Sequence, residues 1–266
     1  LLQYLKNSKS NLSILAVSGY KSLNYLDHII NNSDNVGIVS KEAIVSAGHI
    51  FKTKKFYNKT NIFPLDSEHY SLYDLFVNGF NKNNIKNIIL TASGGPFYTK
   101  KYNDLKNVTF EQAIKHPKWK MGYKNSIDSA TLVNKCLELI EAHYLFDIPF
   151  SKLDILIHPE SLVHSIIEDK SYISKMIYFH NDMRIPLMHY LSNNKIDELP
   201  KINKFNFYQK TNLNFSVVEE KNYPIYNYFK SIDKSNPCNL IKFNLGNEYA
   251  VDLFKQKKIK YIEILQ

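Results

Sequence analysis

Four short apolar runs, LSILAV (12–17), VGIV (36–39), NIFPL (61–65) and NIILTA (87–92), punctuate the first third of the chain. Between them, residues 21–31, 41–52 and 67–80 repeat apolar positions at helical spacing. Strand-like runs alternating with helix-like segments predict a parallel sheet covered by helices. In such sheets ligands collect beyond the carboxyl ends of the strands. The residues just after each run are therefore where chemistry is expected.

Further along, residues 128–147 carry the strongest helical pattern, with Leu132, Val133, Leu137, Ile140 and Leu145 near one face. Residues 153–179 read as strands around a turn at 169–171. A polar stretch rich in Asn and Lys, 194–212, reads as a linker. The tail from 223 onward is helical in pattern, except for a final strand-like YIEILQ. No internal repeat is present.

Composition narrows the classes. A chain of 266 residues with 44% hydrophobic content can bury a sizeable core in one large domain or two to three small ones. The formal net charge is +9. Its lysines are scattered and not blocked, which argues against a nucleic-acid arm; an anionic small ligand, or the Lys, Asn, Ile and Tyr usage of an AT-rich genome, accounts for the charge. Two cysteines, Cys136 and Cys238, lie in no ligand spacing and fit a reducing compartment. No apolar run approaches the roughly 18 residues of a membrane helix, and the first residues lack a signal-peptide core. The chain does not begin with methionine, so its start is expected not to be the native one.

Four stretches can carry chemistry. LDSEH (65–69) follows an apolar run, and in extended backbone Asp66 and Glu68 would point the same way. Two such carboxylates suit a hard cation, or Asp66 or Ser67 simply caps a helix. In LTASGGPF (90–97), Ser93 and two glycines after a strand could hold an anion or form an ordinary turn. In SIDSATLVNKCLE (126–138), Ser129 near a helix start could meet phosphate. Asn134 and Lys135 share a helix face with Glu138 there, which could equally be a surface ion pair. HPKWKMG (116–122) places the only tryptophan, Trp119, in a basic, loop-like stretch with His116 and Met121. It could close over a substrate or pack as a satellite hydrophobe. No G-x-G-x-x-G or P-loop pattern occurs among the eight glycines.

Taken in order, SKEAIVSAG (40–48), LDSEH, NIILTASGGPF, KHPKWKMG, SIDSATLVNKCLELIEA, LIHPESLVHSIIE and DMRIPL resemble the 1-deoxy-D-xylulose 5-phosphate reductoisomerases. NLGNEYAVDLFKQKKIKY (244–261) is similar to that family's C-terminal helical region. The resemblance implies an α/β protein. It would comprise part of a Rossmann-like NADPH domain (1–55), a catalytic domain with a mobile lid (56–193), a linker (194–212) and part of a helical domain (213–266). It implies rearrangement and NADPH-dependent reduction of 1-deoxy-D-xylulose 5-phosphate, with Mn²⁺ or Mg²⁺.

Carried over motif by motif, Asp66, Glu68 and Glu138 would bind the metal. Lys41, Glu68, His116 and Glu138 would act in catalysis. Ser67, Ser93, Ser129, Asn134, Lys135, His158 and Met183 would join them around the substrate, with Trp119 and Met121 as the lid. Ser40, Glu42 and Gly122 would meet NADPH. A homodimer in a bacterial cytoplasm is implied, or a plastid location, without nucleic-acid or membrane partners.

The chain also departs from the family pattern. The family's glycine-rich nucleotide turn is not found, and the match starts at ILAVSGYKSL. Ser40 stands where the family has Asn, and Ala92 where it has the first glycine of its phosphate turn. A partial chain is therefore expected, with a non-catalytic phosphosugar- or metal-binding remnant or dimerisation scaffold as the alternative.

Overall fold

A computed structural model describes residues 2–53, 60–118, 121–193 and 212–265. The chain opens with α1 (Leu2–Asn7), β1 (Ser10–Leu15), α2 (Leu23–Asn31), β2 (Ser33–Ile38), α3 (Lys41–Thr53) and β3 (Asn61–Pro64). The three strands form a parallel sheet in the order β1-β2-β3. Its core joins Leu15, Val36 and Ile38 to Leu26 and Ile29 of α2 and Ile44 of α3. This is the helix-covered parallel sheet the pattern predicts. It runs past residue 55, where the resemblance suggests a domain division.

Next come α4 (Ser67–Val77), β4 (Ile85–Ala92), α5 (Phe110–Ala113), α6 (Tyr123–Thr131), α7 (Val133–Phe146), β5 (Leu153–Ile157), β6 (Val163–Asp169), β7 (Ser174–Tyr178) and α8 (Arg184–Leu191). The run 87–92 does not extend the first sheet. As β4 it lies inside a second, mixed sheet ordered β7-β6-β4-β5-β8, where β8 is Ser216–Val217. It runs parallel to β5 and antiparallel to β6. Ile88 and Leu90 bury with Ile167 of β6 and Leu137 and Ile140 of α7, a core separate from that of the first sheet. Alternation along a sequence does not say which sheet a strand joins.

The helix expected over 128–147 starts earlier and is broken. Leu132, at φ 69° and 1% exposed, ends α6 and begins α7. The tail holds α9 (Pro224–Ser231), α10 (Pro237–Lys255) and α11 (Tyr261–Ile264). The strand-like stretch is thus helical over Tyr261–Ile264. Glu263 Oε2 accepts the Lys260 N–H at 2.6 Å, closing the first turn, and Tyr261 and Ile264 bury on one face against Phe97 and Phe254. The linker expected at 194–212 lies, but for its last residue, outside the described residues. No described helix is long and apolar enough to cross a membrane.

Candidate active site

Three strand ends deliver the site. Lys41 opens α3 just after β2, Asp66 follows β3, and Ser93 follows β4. Asp66 is the N-cap of α4: its Oδ1 accepts the Glu68 N–H at 3.2 Å. Its Oδ2 meets Lys41 Nζ at 3.0 Å. Capping and a charged site are therefore served by one carboxylate. Glu68 sits in the first helical turn and not in extended backbone, so helical geometry, not strand alternation, turns it towards Asp66. Glu138 comes from α7 and is 1% exposed. Ligand atoms of Asp66, Glu68 and Glu138 all lie within 4.8 Å of one another.

Two lysines thread this trio. Lys41 Nζ donates to Glu138 Oε1 and Asn134 Oδ1, each at 2.8 Å. Lys135 Nζ reaches Glu68 Oε1 at 2.6 Å and Glu138 Oε2 at 2.5 Å. Asn134 Nδ2 donates to Glu138 Oε1. Lys135 and Glu138 are thus a buried pair, not a surface one. Burial opposes the charge on Lys41, yet Asp66 and Glu138 hold its pKa well above the usual value. Burial would raise Asp66, but Lys41 and His69 hold it well below the usual range. Glu138 is raised, by burial first and then by Asp66 and Glu68. Crowding of the three carboxylates is what the two ammoniums offset.

A second group lies alongside. His116 Nε2 stands 2.9 Å from Ser93 Oγ and 3.1 Å from Ser129 Oγ. His116 Nδ1 accepts the Lys118 N–H at 3.2 Å, so Nε2 carries the proton. Burial and then the Lys135 charge lower its pKa to about 4, leaving a neutral imidazole. Ser129 lies in the last turn of α6, not near a helix start. The turn after Ser93 is tight: Gly95 has φ 66°, and a Cβ there would stand 2.7 Å from Ala130 Cα.

Both groups face one cavity of about 200 Å³, lined by Lys41, Asp66, Ser67, Glu68, Ser93, His116, Met121, Ser129, Asn134, Lys135, Glu138 and Met183 among others. Ser40, Glu42, Gly122 and His158 are not among the described lining residues. Ser40 Oγ donates to Val17 O at 2.5 Å, Glu42 meets Lys124 Nζ at 3.4 Å, and Gly122 caps α6. His158 does not line the cavity because its ring is fully buried and engaged: Nδ1 donates to Asn214 O at 2.8 Å and Nε2 accepts the Leu162 N–H at 3.1 Å. The second histidine of LIHPESLVHS, His164, lines the cavity instead, with Nδ1 3.9 Å from Glu68 Oε1. Trp119 lies outside the described residues.

Sequence reading also passed over His69 and Glu141. The signals were present: His69 ends LDSEH, and Glu141 follows Glu138 by three residues on a helix. Burial would lower His69, but the Glu141 and Asp66 carboxylates raise it to about 9. Burial lifts Glu141 to about 8 against the pull of His69.

Known proteins share this arrangement of sequence and fold. Residues 62–146 match the 1-deoxy-D-xylulose 5-phosphate reductoisomerase C-terminal domain, and residues 180–266 the DXP reductoisomerase C-terminal domain. The chain is 37% identical to the 1-deoxy-D-xylulose 5-phosphate reductoisomerase of Clostridium tetani, covering 98% of this chain and 72% of that protein. Identity to the Malacoplasma penetrans reductoisomerase is also 37%, over 99% of this chain and 69% of that protein. A crystal structure of DOX-P reductoisomerase in complex with NADPH, fosmidomycin and magnesium superposes with a TM-score of 0.90 at 28% identity. That superposition covers 99% of this chain and 67% of the other. The Zymomonas mobilis reductoisomerase in complex with NADPH gives 0.87 at 32% identity, over 99% and 68%. On these matches, this chain belongs to the 1-deoxy-D-xylulose 5-phosphate reductoisomerase family.

Proposed function

We propose that this chain rearranges 1-deoxy-D-xylulose 5-phosphate and reduces the product to 2-C-methyl-D-erythritol 4-phosphate, using NADPH and Mn²⁺ or Mg²⁺. One observation carries the reading. Three carboxylates from two elements converge beside the Ser93–His116–Ser129 group on one cavity.

An all-oxygen donor set of three carboxylates fits a hard divalent cation. Asp66, Glu68 and Glu138 would hold it, and when bound it supplies Lewis-acid polarisation of substrate oxygens. NADPH supplies the hydride. The protein supplies position. The hydroxyls of Ser93 and Ser129, the Nε2–H of His116 and the Lys135 ammonium offer donors to an anionic phosphate. Lys41 and Asn134 would steady the sugar oxygens nearer the metal. Anchoring both ends of a flexible sugar phosphate selects one reactive geometry. Met121, Met183 and Trp119 would cover the site and exclude water. Ser40, Glu42 and Gly122 would meet NADPH. The homodimer and the bacterial cytoplasm belong to the same reading and rest on the family alone.

NADPH oxidation by this chain, given 1-deoxy-D-xylulose 5-phosphate and Mn²⁺, tests it. Metal-dependent turnover is expected, with loss of turnover but not of circular dichroism in Glu138→Gln. Full turnover by Glu138→Gln would sink the metal assignment. Mn²⁺ binding without NADPH oxidation would favour a phosphosugar- or metal-binding module that does not turn over.

A further inference from the structure

We propose that Glu141 is a positioning residue for the candidate metal ligands Asp66 and Glu138, acting through His69. The inference rests on the metal assignment above. His69 from α4 and Glu141 from α7 are both fully buried. His69 Nε2 lies 2.9 Å from the Glu138 carbonyl oxygen, which can only accept, so Nε2 carries a proton. Nδ1 faces Asp66 Oδ1 at 3.2 Å and Glu141 Oε2 at 3.3 Å. A single imidazole thus touches the side chain of one candidate ligand and the backbone of another.

Glu141 is the part that needs explaining. Its side chain is wholly buried, neither oxygen makes a conventional hydrogen bond, and its ion-pair partner is His69. Burying a carboxylate in this way is costly, and an apolar residue of similar size would be cheaper for the fold. What the carboxylate does is fix the imidazole. Attraction at Nδ1 keeps Nε2–H aimed at the Glu138 carbonyl and Nδ1 beside Asp66. Phe146 backs the ring at 6.2 Å between centroids. Glu141 thereby ties the cap of α4 to the turn of α7 that presents Glu138. Outer partners of this kind typically set metal affinity by about 10–100-fold.

Mn²⁺ titration of the 266-residue chain, by calorimetry without substrate or NADPH, tests this on the unsubstituted chain, Glu141→Gln, His69→Gln, Glu141→Asp and the double variant. The unsubstituted chain should bind one Mn²⁺. Each Gln variant should bind it about 10–100-fold more weakly, and the double variant no more weakly than either single one. Glu141→Asp, which keeps a carboxyl group on a shorter side chain, should regain part of the affinity. Metal-free melting of Glu141→Gln should stay near that of the unsubstituted chain, since an isosteric amide fills the same buried space. If Glu141→Gln does not fold, His69→Gln and Glu141→Asp carry the test. Unchanged Mn²⁺ affinity in the variants overturns the proposal. So does a matching, additive loss of melting temperature and affinity, which marks a merely structural pair. A stoichiometry falling from two Mn²⁺ to one would make Glu141 a ligand of a second ion and overturn it too. Absence of Mn²⁺ binding by the unsubstituted chain would remove the metal assignment itself, a failure visible before any variant is compared.

Discussion

Lys41 Nζ donates to Glu138 Oε1 at 2.8 Å, across 97 residues of sequence, and to Asp66 Oδ2 at 3.0 Å. The ammonium therefore stands among the groups expected to hold a metal. In the metal-free chain it and Lys135 are the two ammoniums among these three carboxylates, with the His69 imidazole beside Asp66. That makes the effect of Lys41→Met opposite on binding and on folding. Without the ammonium the trio is more negative, so Mn²⁺ should bind several-fold more tightly. Without metal the same change leaves buried carboxylates short of a partner, a loss of about 3–5 kcal/mol for a broken buried pair. Melting in a chelator should fall steeply and recover in saturating Mn²⁺. Weaker Mn²⁺ binding by Lys41→Met would show that Lys41 organises the ligands instead of competing with the ion.

His116 gives a pH dependence with a definite sign. Its folded pKa, about 4, lies below the ordinary 6.5. The unfolded chain therefore takes up the proton first as pH falls. Stability is unaffected above about pH 6.5 and declines from there to about pH 4. His116 is half-buried, so solvent screening reduces the loss to about 1 kcal/mol. Urea unfolding at about pH 7 and about pH 5 should show this difference shrinking in His116→Gln, which has no proton to gain. An equal pH slope in both proteins would mean that His116 does not titrate as described.

Much of this was legible in the sequence, and the misses share a cause. The strand–helix alternation placed Lys41, Asp66 and Ser93 at strand ends because backbone period and burial are local. Which sheet β4 joins is decided by Ile167 and α7, far away in sequence, so the run NIILTA could not reveal it. The break at Leu132 carries no glycine or proline to announce it. Of the two histidines in LIHPESLVHS, only tertiary contacts separate His158, closed off by Asn214 O and the Leu162 N–H, from His164 in the cavity. The ion pair that explains His69 joins two helices, and its acid was read as one more helical residue.

Asn247 anchors the C-terminal helices to this machinery. Its Nδ2 on α10 donates to Asp128 Oδ1 at 2.8 Å, and Asp128 Oδ2 accepts from Lys124 at 2.6 Å. Lys124 in turn meets Glu42, an expected NADPH contact. Asp128 is 1% exposed, so Asn247→Ala leaves a buried carboxylate oxygen without its donor. A hydrogen bond to a charged group contributes about 1.5–3 kcal/mol. Loss of about 2 kcal/mol is expected in urea unfolding, together with a KM that rises more for NADPH than for the sugar phosphate. Asn247→Asp should be worse, since it sets a second carboxylate against Asp128. A stability unchanged in both variants would remove this contact from the account.

Leu132 poses a contest of two energies. At φ 69° it occupies the left-handed region, which costs an L-residue about 1–2 kcal/mol. Glycine would relieve that strain. Leu132 is also 1% exposed and packs with Val133, Leu137 and Ile140, and deleting such a side chain costs about 2–5 kcal/mol. Burial outweighs strain, so Leu132→Gly should be less stable by about 2 kcal/mol. Its functional effect follows from where the residue sits. Ser129 lies in the last turn of α6 and Asn134 and Lys135 in the first turn of α7, with Leu132 at the joint between them. A looser joint should raise the KM for the sugar phosphate and also weaken Mn²⁺ binding, since Glu138 follows the same joint on α7 while Asp66 and Glu68 sit at the start of α4. A gain in stability would mean that the left-handed backbone, not the buried side chain, dominates at this position.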